Sequence, residues 1–123
     1  MTRILVVDDE KSIRVTFQAM LADAGFEVCI AEDAETALEI CRTDKINIVV
    51  SDIIMPRMTG IALLKRLRKV SPSVRVILMT GEPTVETAAE GVRHNAFDYL
   101  IKPVNKVTLL DSVNKVAQGL KLV

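Results

Sequence analysis

The sequence predicts an α/β domain, a (βα)5 unit folded as an open, doubly wound parallel sheet with helices on both faces. Three observations predict it. Five short apolar runs recur along the 123 residues, each run is followed by a segment of helical periodicity, and no linker, internal repeat or low-complexity tract interrupts the alternation. Strands that alternate with helices pair in parallel, and their crossovers are right-handed almost without exception. The length suits one domain, taken as 1–123, with no room left for a second. A domain of this size buries roughly two thirds of its unfolded surface, so it needs no disulfide or metal to hold it.

The runs are Ile4–Val7, Phe26–Ile30, Ile46–Ser51, Val74–Met79 and Tyr99–Ile101. The first, third and fourth are nearly continuous Ile, Val and Leu, as expected of strands covered on both faces. Phe26–Ile30 carries Glu27 and reads as a strand nearer an edge. Ile13, Phe17, Met20, Leu21 and Ala24 form the first helical stripe, closed by Gly25 at a C′ position. Ala34, Ala37, Leu38 and Cys41 form the second, with Asp33 as its N-cap. Leu63, Leu64 and Leu67 form the third, after Gly60. Val85, Ala88, Ala89 and Val92 form the fourth, with Pro83 near its first turn. Leu109, Leu110, Val113, Val116, Ala117 and Leu120 form the last.

Composition removes several function classes. Lys plus Arg and Asp plus Glu are 16 each, so the formal net charge is zero. A duplex-binding domain draws most of its affinity from a basic excess, and this chain has none. Three Phe, one Tyr and no Trp make a poor base-stacking platform, so direct nucleic-acid binding is not expected. Cys29 and Cys41 lie in apolar stretches without metal-ligand spacing and read as small buried hydrophobes in a reducing compartment. Only four apolar residues separate Arg3 from Asp8-Asp9-Glu10, too few for a signal peptide. No stretch reaches the roughly 20 apolar residues of a membrane span. The expectation is a cytoplasmic protein with no membrane contact.

Ligands of open α/β sheets bind beyond the carboxyl ends of the strands. Asp8-Asp9 end the first run, Asp52 the third, Thr80 the fourth and Lys102 the fifth. Each has an ordinary explanation alone: acidic groups favour a helix N-terminus, Asp52 and Thr80 could cap turns, and Lys102 could be a solvated lysine. Four such coincidences at matching strand ends are a less economical account than one shared site. Three converging carboxylates repel one another unless a cation neutralises them, and a hard ion such as Mg²⁺ takes oxygen ligands of this kind. A carboxylate can also be a nucleophile that forms an acyl phosphate, whose oxygens need cations and donors around them.

Four segments then acquire a common meaning: Ile4-Leu5-Val6-Val7-Asp8-Asp9-Glu10, Ser51-Asp52-Ile53-Ile54-Met55-Pro56 with Gly60, Leu78-Met79-Thr80-Gly81, and Ala96-Phe97-Asp98-Tyr99-Leu100-Ile101-Lys102-Pro103. In that order and spacing they closely resemble the receiver domain of two-component response regulators, over essentially the whole chain. The resemblance implies the flavodoxin-like receiver fold with strand order 2-1-3-4-5. It implies a phosphoprotein switch in which Asp52 receives a phosphoryl group from a sensor histidine kinase or histidine phosphotransfer protein. Mg²⁺ would be held by Asp9, Asp52 and the Ile54 carbonyl, with Asp8 acting mainly through water. Lys102 would pair with phosphoryl oxygens, and its bond to Pro103 would be cis. Thr80 and Tyr99 would be the switch residues, changing the surface of the fourth helix, fifth strand and fifth helix, through which a homodimer is also expected. Such a domain is not a conventional enzyme and catalyses only its own phosphorylation and dephosphorylation. It controls an attached output domain or a separate partner.

Several details cut against neighbouring readings. A phosphorylation-independent pseudo-receiver, a docking module alone, is the alternative, but every site residue is present. A flavin or nucleotide binder would want a phosphate-cradling first loop, and this one is acidic. An aspartate-nucleophile phosphatase commonly carries a second Asp two residues on, where Ile54 stands. Ile54 and Glu82 would flank the attacking water, and apolar Ile54 predicts slow loss of the phosphoryl group. Val104 replaces the Phe that follows Lys-Pro in many DNA-binding relatives. His94 reads as a helix C-terminal cation, Met55 and Met58 as packing residues, and Arg93, Asp98 and Lys115 as solvated charges rather than cross-subunit pairs.

Overall fold

In the computed structural model, which describes residues 1–121 and the side chains of residues 1–119, strands and helices alternate throughout. They are β1 (Arg3–Val7), α1 (Lys11–Asp23), β2 (Glu27–Ala31), α2 (Ala34–Thr43), β3 (Ile48–Asp52), α3 (Gly60–Val70), β4 (Arg75–Thr80), α4 (Val85–Arg93), β5 (Asp98–Ile101) and α5 (Lys106–Lys121). All strand pairs are parallel, in the order β2-β1-β3-β4-β5. The expected fold class and strand order are both met. Bounds shift by one or two residues. Where Ile46 was expected to begin the third strand, the ladder frays through Asn47, whose N–H donates to the Arg3 carbonyl (3.0 Å) and whose carbonyl accepts from Arg75 (3.0 Å).

Strand alternation divides the core in two. Leu5, Val7, Val49, Val76 and Leu78 point to one face, under α2 and α3. Ile4, Val6, Ile48, Val50, Ile77 and Met79 point to the other, under Phe17 and Leu21 of α1 and Leu109, Val113 and Val116 of α5. Each fully buried aliphatic side chain contributes about 1.5–3 kcal/mol, which is why the strands richest in them take the centre. The edge strand β2 leaves Glu27 and Ile30 exposed, as expected. No described helix is long and apolar enough to cross a membrane.

The punctuation also follows the sequence. Gly25 closes α1 at φ 97°, and the Asp33 carboxylate accepts from the Thr36 N–H (2.8 Å) as the N-cap of α2. Ala24 is exposed, because it is the C-cap of α1 and lies past the last inward turn. Cys41 is buried and its thiol is pushed up to about 11 by that burial, while Cys29, on the edge strand β2 itself, is only half-buried. Leu120, assigned to the last stripe, lies outside the residues whose side chains are described.

Helix α4 departs from expectation. The stripe Val85, Ala88, Ala89 and Val92 does not face the core: Val85 is 85% and Val92 78% exposed, and only Ala88 is half-buried. The helix instead sits down on Gly91, where an added Cβ would come within 3.3 Å of Leu78 and 3.6 Å of Ala96. A glycine contact brings the backbone close and turns the valines outward.

Candidate functional site

Parallel register assembles the rim. Val7 pairs with Ser51, Asp52 with Met79, and Thr80 with Ile101, so the residues at and just beyond these strand ends lie side by side. Backbone bonds fix each exit: Asp8 N–H to the Ala31 carbonyl (3.2 Å), Ile53 N–H to Met79 (2.9 Å) and Lys102 N–H to Thr80 (2.8 Å). The Lys102–Pro103 bond is cis, as the resemblance implied.

Four of the predicted residues meet there. The Lys102 Nζ lies 2.9 Å from Asp8 Oδ2 and 3.2 Å from Asp52 Oδ2. Carboxylate oxygens of Asp8, Asp9 and Asp52 all fall within 4.8 Å of one another. Asp8 is completely buried, Asp52 is 5% exposed, and Asp9 opens to solvent. Thr80 is buried beside them, its Oγ1 accepting from the Glu82 N–H (3.0 Å). Ile54 stands half-exposed at the rim.

Burial pushes the Asp52 carboxyl up, the charge of Asp8 pushes it further, and Lys102 and the Ile54 amide pull back without cancelling the rise. Burial also acts on Lys102 and would lower it; the bond to Asp8 and the charges of Asp8 and Asp52 together outweigh this and leave it raised. One ammonium thus pairs with two members of a group of three carboxylates, and the excess negative charge is concentrated on hard oxygen donors. That donor set fits a hard divalent cation.

Tyr99 is not in the acidic cluster. It is half-buried, with its hydroxyl 2.7 Å from Thr87 Oγ1 and 3.4 Å from the Thr84 N–H, at the first turn of α4. Thr87 was not anticipated from the sequence, where it is one of three threonines near a helix start. Two further residues brace Asp8: the Glu10 N–H donates to its Oδ1 (2.9 Å), and Arg14 donates to its carbonyl (2.8 Å). An acidic pair followed by Arg at this spacing was the only signal for them.

The remaining candidates have local partners. His94 is the C-cap of α4, 3.4 Å from Glu90, which also meets Lys65 and Arg93. Met55 is buried in the core with Met58 packed against it. Lys115 pairs with Asp111 (3.2 Å), and Asp98 accepts from Ser112 Oγ (2.8 Å) and the Tyr99 N–H (2.8 Å).

Comparison with known proteins gives a consistent set of relatives. The family model described as response regulator receiver domain matches residues 4–114. The chain is 42% identical over 116 residues to the regulatory protein AtoC of Escherichia coli (strain K12), covering 94% of this chain and 24% of that protein. It spans about a quarter of the length of the first curated relatives it matches. Among solved structures, a response regulator receiver domain protein (CheY-like) from Methanospirillum hungatei JF-1 superposes with a TM-score of 0.94 at 31% identity, over 100% of this chain and 99% of that one. The response regulator TrrA from Thermotoga maritima, in complex with Mg(2+)-BeF, gives 0.85 at 32% identity, over 94% and 99% of the two chains.

Proposed function

This chain belongs to the family of response regulator receiver domains, and from that membership we propose that Asp52 is its phosphoryl acceptor. The donor is a phosphohistidine of a sensor histidine kinase or histidine phosphotransfer protein. The observation that carries the reading is the buried Asp52 carboxylate, 3.2 Å from Lys102 and grouped with Asp8 and Asp9. In the transfer an Asp52 oxygen forms the new bond to phosphorus as the nitrogen–phosphorus bond breaks, and the electron pair returns to the imidazole. Lys102 holds one face of the phosphoryl oxygens. Thr80, whose hydroxyl accepts from the Glu82 N–H, donates from another side. Asp9, Asp52 and the Ile54 carbonyl would hold Mg²⁺, with Asp8 acting through water, and the ion would supply neutralisation of the charge developing on those oxygens.

The switch then runs outward. Drawing Thr80 toward the phosphoryl group opens space for Tyr99, whose present bond to Thr87 ties it to the start of α4. Breaking that bond biases the α4-β5-α5 surface, which exposes Val85, Val92, Ile101 and Val107 to an output domain, a partner or a second copy. The protein works in the cytoplasm and turns over no substrate beyond its own acyl phosphate.

Intact-mass measurement after incubation with acetyl phosphate tests this reading. One phosphoryl group should be gained with Mg²⁺, little without it, and none in Asp52→Ala. A wild-type chain that gains nothing would leave only a docking module. Once labelled, the chain should keep its phosphoryl group longer than an Ile54→Asn variant, because a polar side chain there can orient the attacking water. Equal decay rates would remove Ile54 from the account.

A further inference from the structure

We propose that the groove at the opposite end of the sheet from Asp52 binds an acidic peptide segment bearing apolar side chains. The groove has a volume of about 480 Å³, in the range of ligand pockets, and Arg68, Pro72, Val74, Arg75, Asn95 and Phe97 line it. It lies where the chain enters β4 and β5, beside the last turns of α3 and α4.

Its charge is one-sided. No acidic residue lines it, and neither Arg68 nor Arg75 forms an ion pair with a carboxylate among the described residues. By contrast Arg3, which begins β1 as Arg75 begins β4, is paired with Glu27 at 2.9 Å.

Arg68 has a structural duty. Its guanidinium donates to the carbonyls of His94 (2.8 Å), Asn95 (3.2 Å) and Val74 (2.8 Å), closing the end of α4 against β4. Arg75 has no comparable task, for among the described residues its guanidinium bonds only to the nearby Ser73 carbonyl (2.8 Å), leaving most of its donors unused. The two guanidiniums also repel each other. Burial first, and then the charge of Arg75, hold Arg68 below its ordinary value. An anion in the groove would relieve that repulsion and take the spare donors in a forked geometry.

The neighbouring apolar surface selects a peptide over a small anion. Phe97 is 45% exposed, a large apolar side chain left at the surface, and Pro72 is exposed beside it. A free phosphate would gain nothing from the ring. A segment that alternates carboxylates with leucines would use cations and ring together. This site is independent of phosphorylation and makes no use of Asp52.

The test is an NMR titration of the unphosphorylated chain with the peptide acetyl-Glu-Leu-Glu-Glu-Leu-amide, with inorganic phosphate as a parallel arm. Amide shifts should concentrate at residues 74–75 and 95–97, and binding should weaken as salt is raised. Arg75→Gln should weaken it about fivefold, the scale of one partly exposed ion pair. Phe97→Ala should weaken it while leaving the salt dependence in place. Arg75→Gln should still be labelled at Asp52 by acetyl phosphate, which separates a failed groove from a misfolded chain or a failed phosphoacceptor reading. Shifts scattered over other faces, or unchanged affinity in Arg75→Gln, would overturn the proposal. So would phosphate producing the same shifts at the same concentration, which would make the groove a site for an adventitious ion only.

Discussion

Gly60→Ala is expected to destabilise the chain by about 3 kcal/mol, at the upper end of what overpacking costs. Gly60 is the first residue of α3, buried against the end of β3, and its N–H donates to the Ile53 carbonyl (2.8 Å). An added Cβ would collide with the carbonyl oxygen of Asp52 and stand 2.9 Å from the Ile53 Cα. Both obstacles are backbone, so no rotamer change can relieve them. Either α3 lifts from the sheet or the strand end carrying Asp52 moves. Urea unfolding measures the first effect, and the rate of acetyl phosphate labelling reads the second. Gly119→Ala is the internal control, because nothing lies within 4 Å of its added Cβ and alanine favours the helix by about 0.5–1 kcal/mol. A loss at Gly60 no larger than the change at Gly119 would show that the close approach is not real.

Lys102→Met should be the second large loss, about 3 kcal/mol at neutral pH without added Mg²⁺, near the lower end for removing one partner of a buried pair because Lys102 is 16% exposed. Without the ammonium, Asp8 and Asp52 face each other with no cation of the chain's own. One of them must then take up a proton or draw water into the site. The sign of the pH dependence follows. Asp52 already has a raised carboxyl pKa in the folded state, and loss of Lys102 removes the nearby positive charge that lowers it. The stability of its neutral form is fully present below the unfolded carboxyl value near 3.9 and is lost as pH rises through the raised folded value. The deficit of Lys102→Met should therefore be smaller at about pH 5 than at about pH 7.5. Lys102, itself raised, contributes stability present below its ordinary value and lost only as pH climbs through the folded one, so it does not confuse this window. Unfolding curves at the two pH values decide the matter; an equal deficit at both would mean that the ammonium does not control the two carboxylates.

The sequence was readable where local rules and burial agree. Continuous aliphatic runs belong to strands covered on both faces, and the strand-end rule then brought Asp8, Asp52, Thr80 and Lys102 together without any contact being visible. It was less readable where packing chooses between equally good faces. Val85, Ala88, Ala89 and Val92 do form an apolar stripe, but periodicity says only that a face is apolar, not what it meets. Gly91, a weak helix former, decided the orientation by allowing the closest approach to Leu78. Arg57 was opaque for another reason. It adopts φ 68°, a region that rules assign to Gly or Asn, and its pairs with Asp33 (3.1 Å) and Glu35 (3.4 Å) come from a different element. The resemblance makes Tyr99 a switch residue, yet its partner Thr87 carries no sequence signal, because a hydroxyl on a helix has many equivalent uses.

The pair between Asp8 and Lys102 joins positions 94 residues apart. Synthesis proceeds from the N-terminus at roughly 5–20 residues per second, so the acidic end of that pair exists for several seconds before its ammonium leaves the ribosome. Over the later part of that interval, once Asp52 has been made, Asp8, Asp9 and Asp52 have no Lys102 ammonium to neutralise them. The buried charges that follow β1 and end β3 cannot be held cheaply until the last strand docks. The ion pair at the carboxyl ends of the strands is thus among the last contacts the growing chain can make.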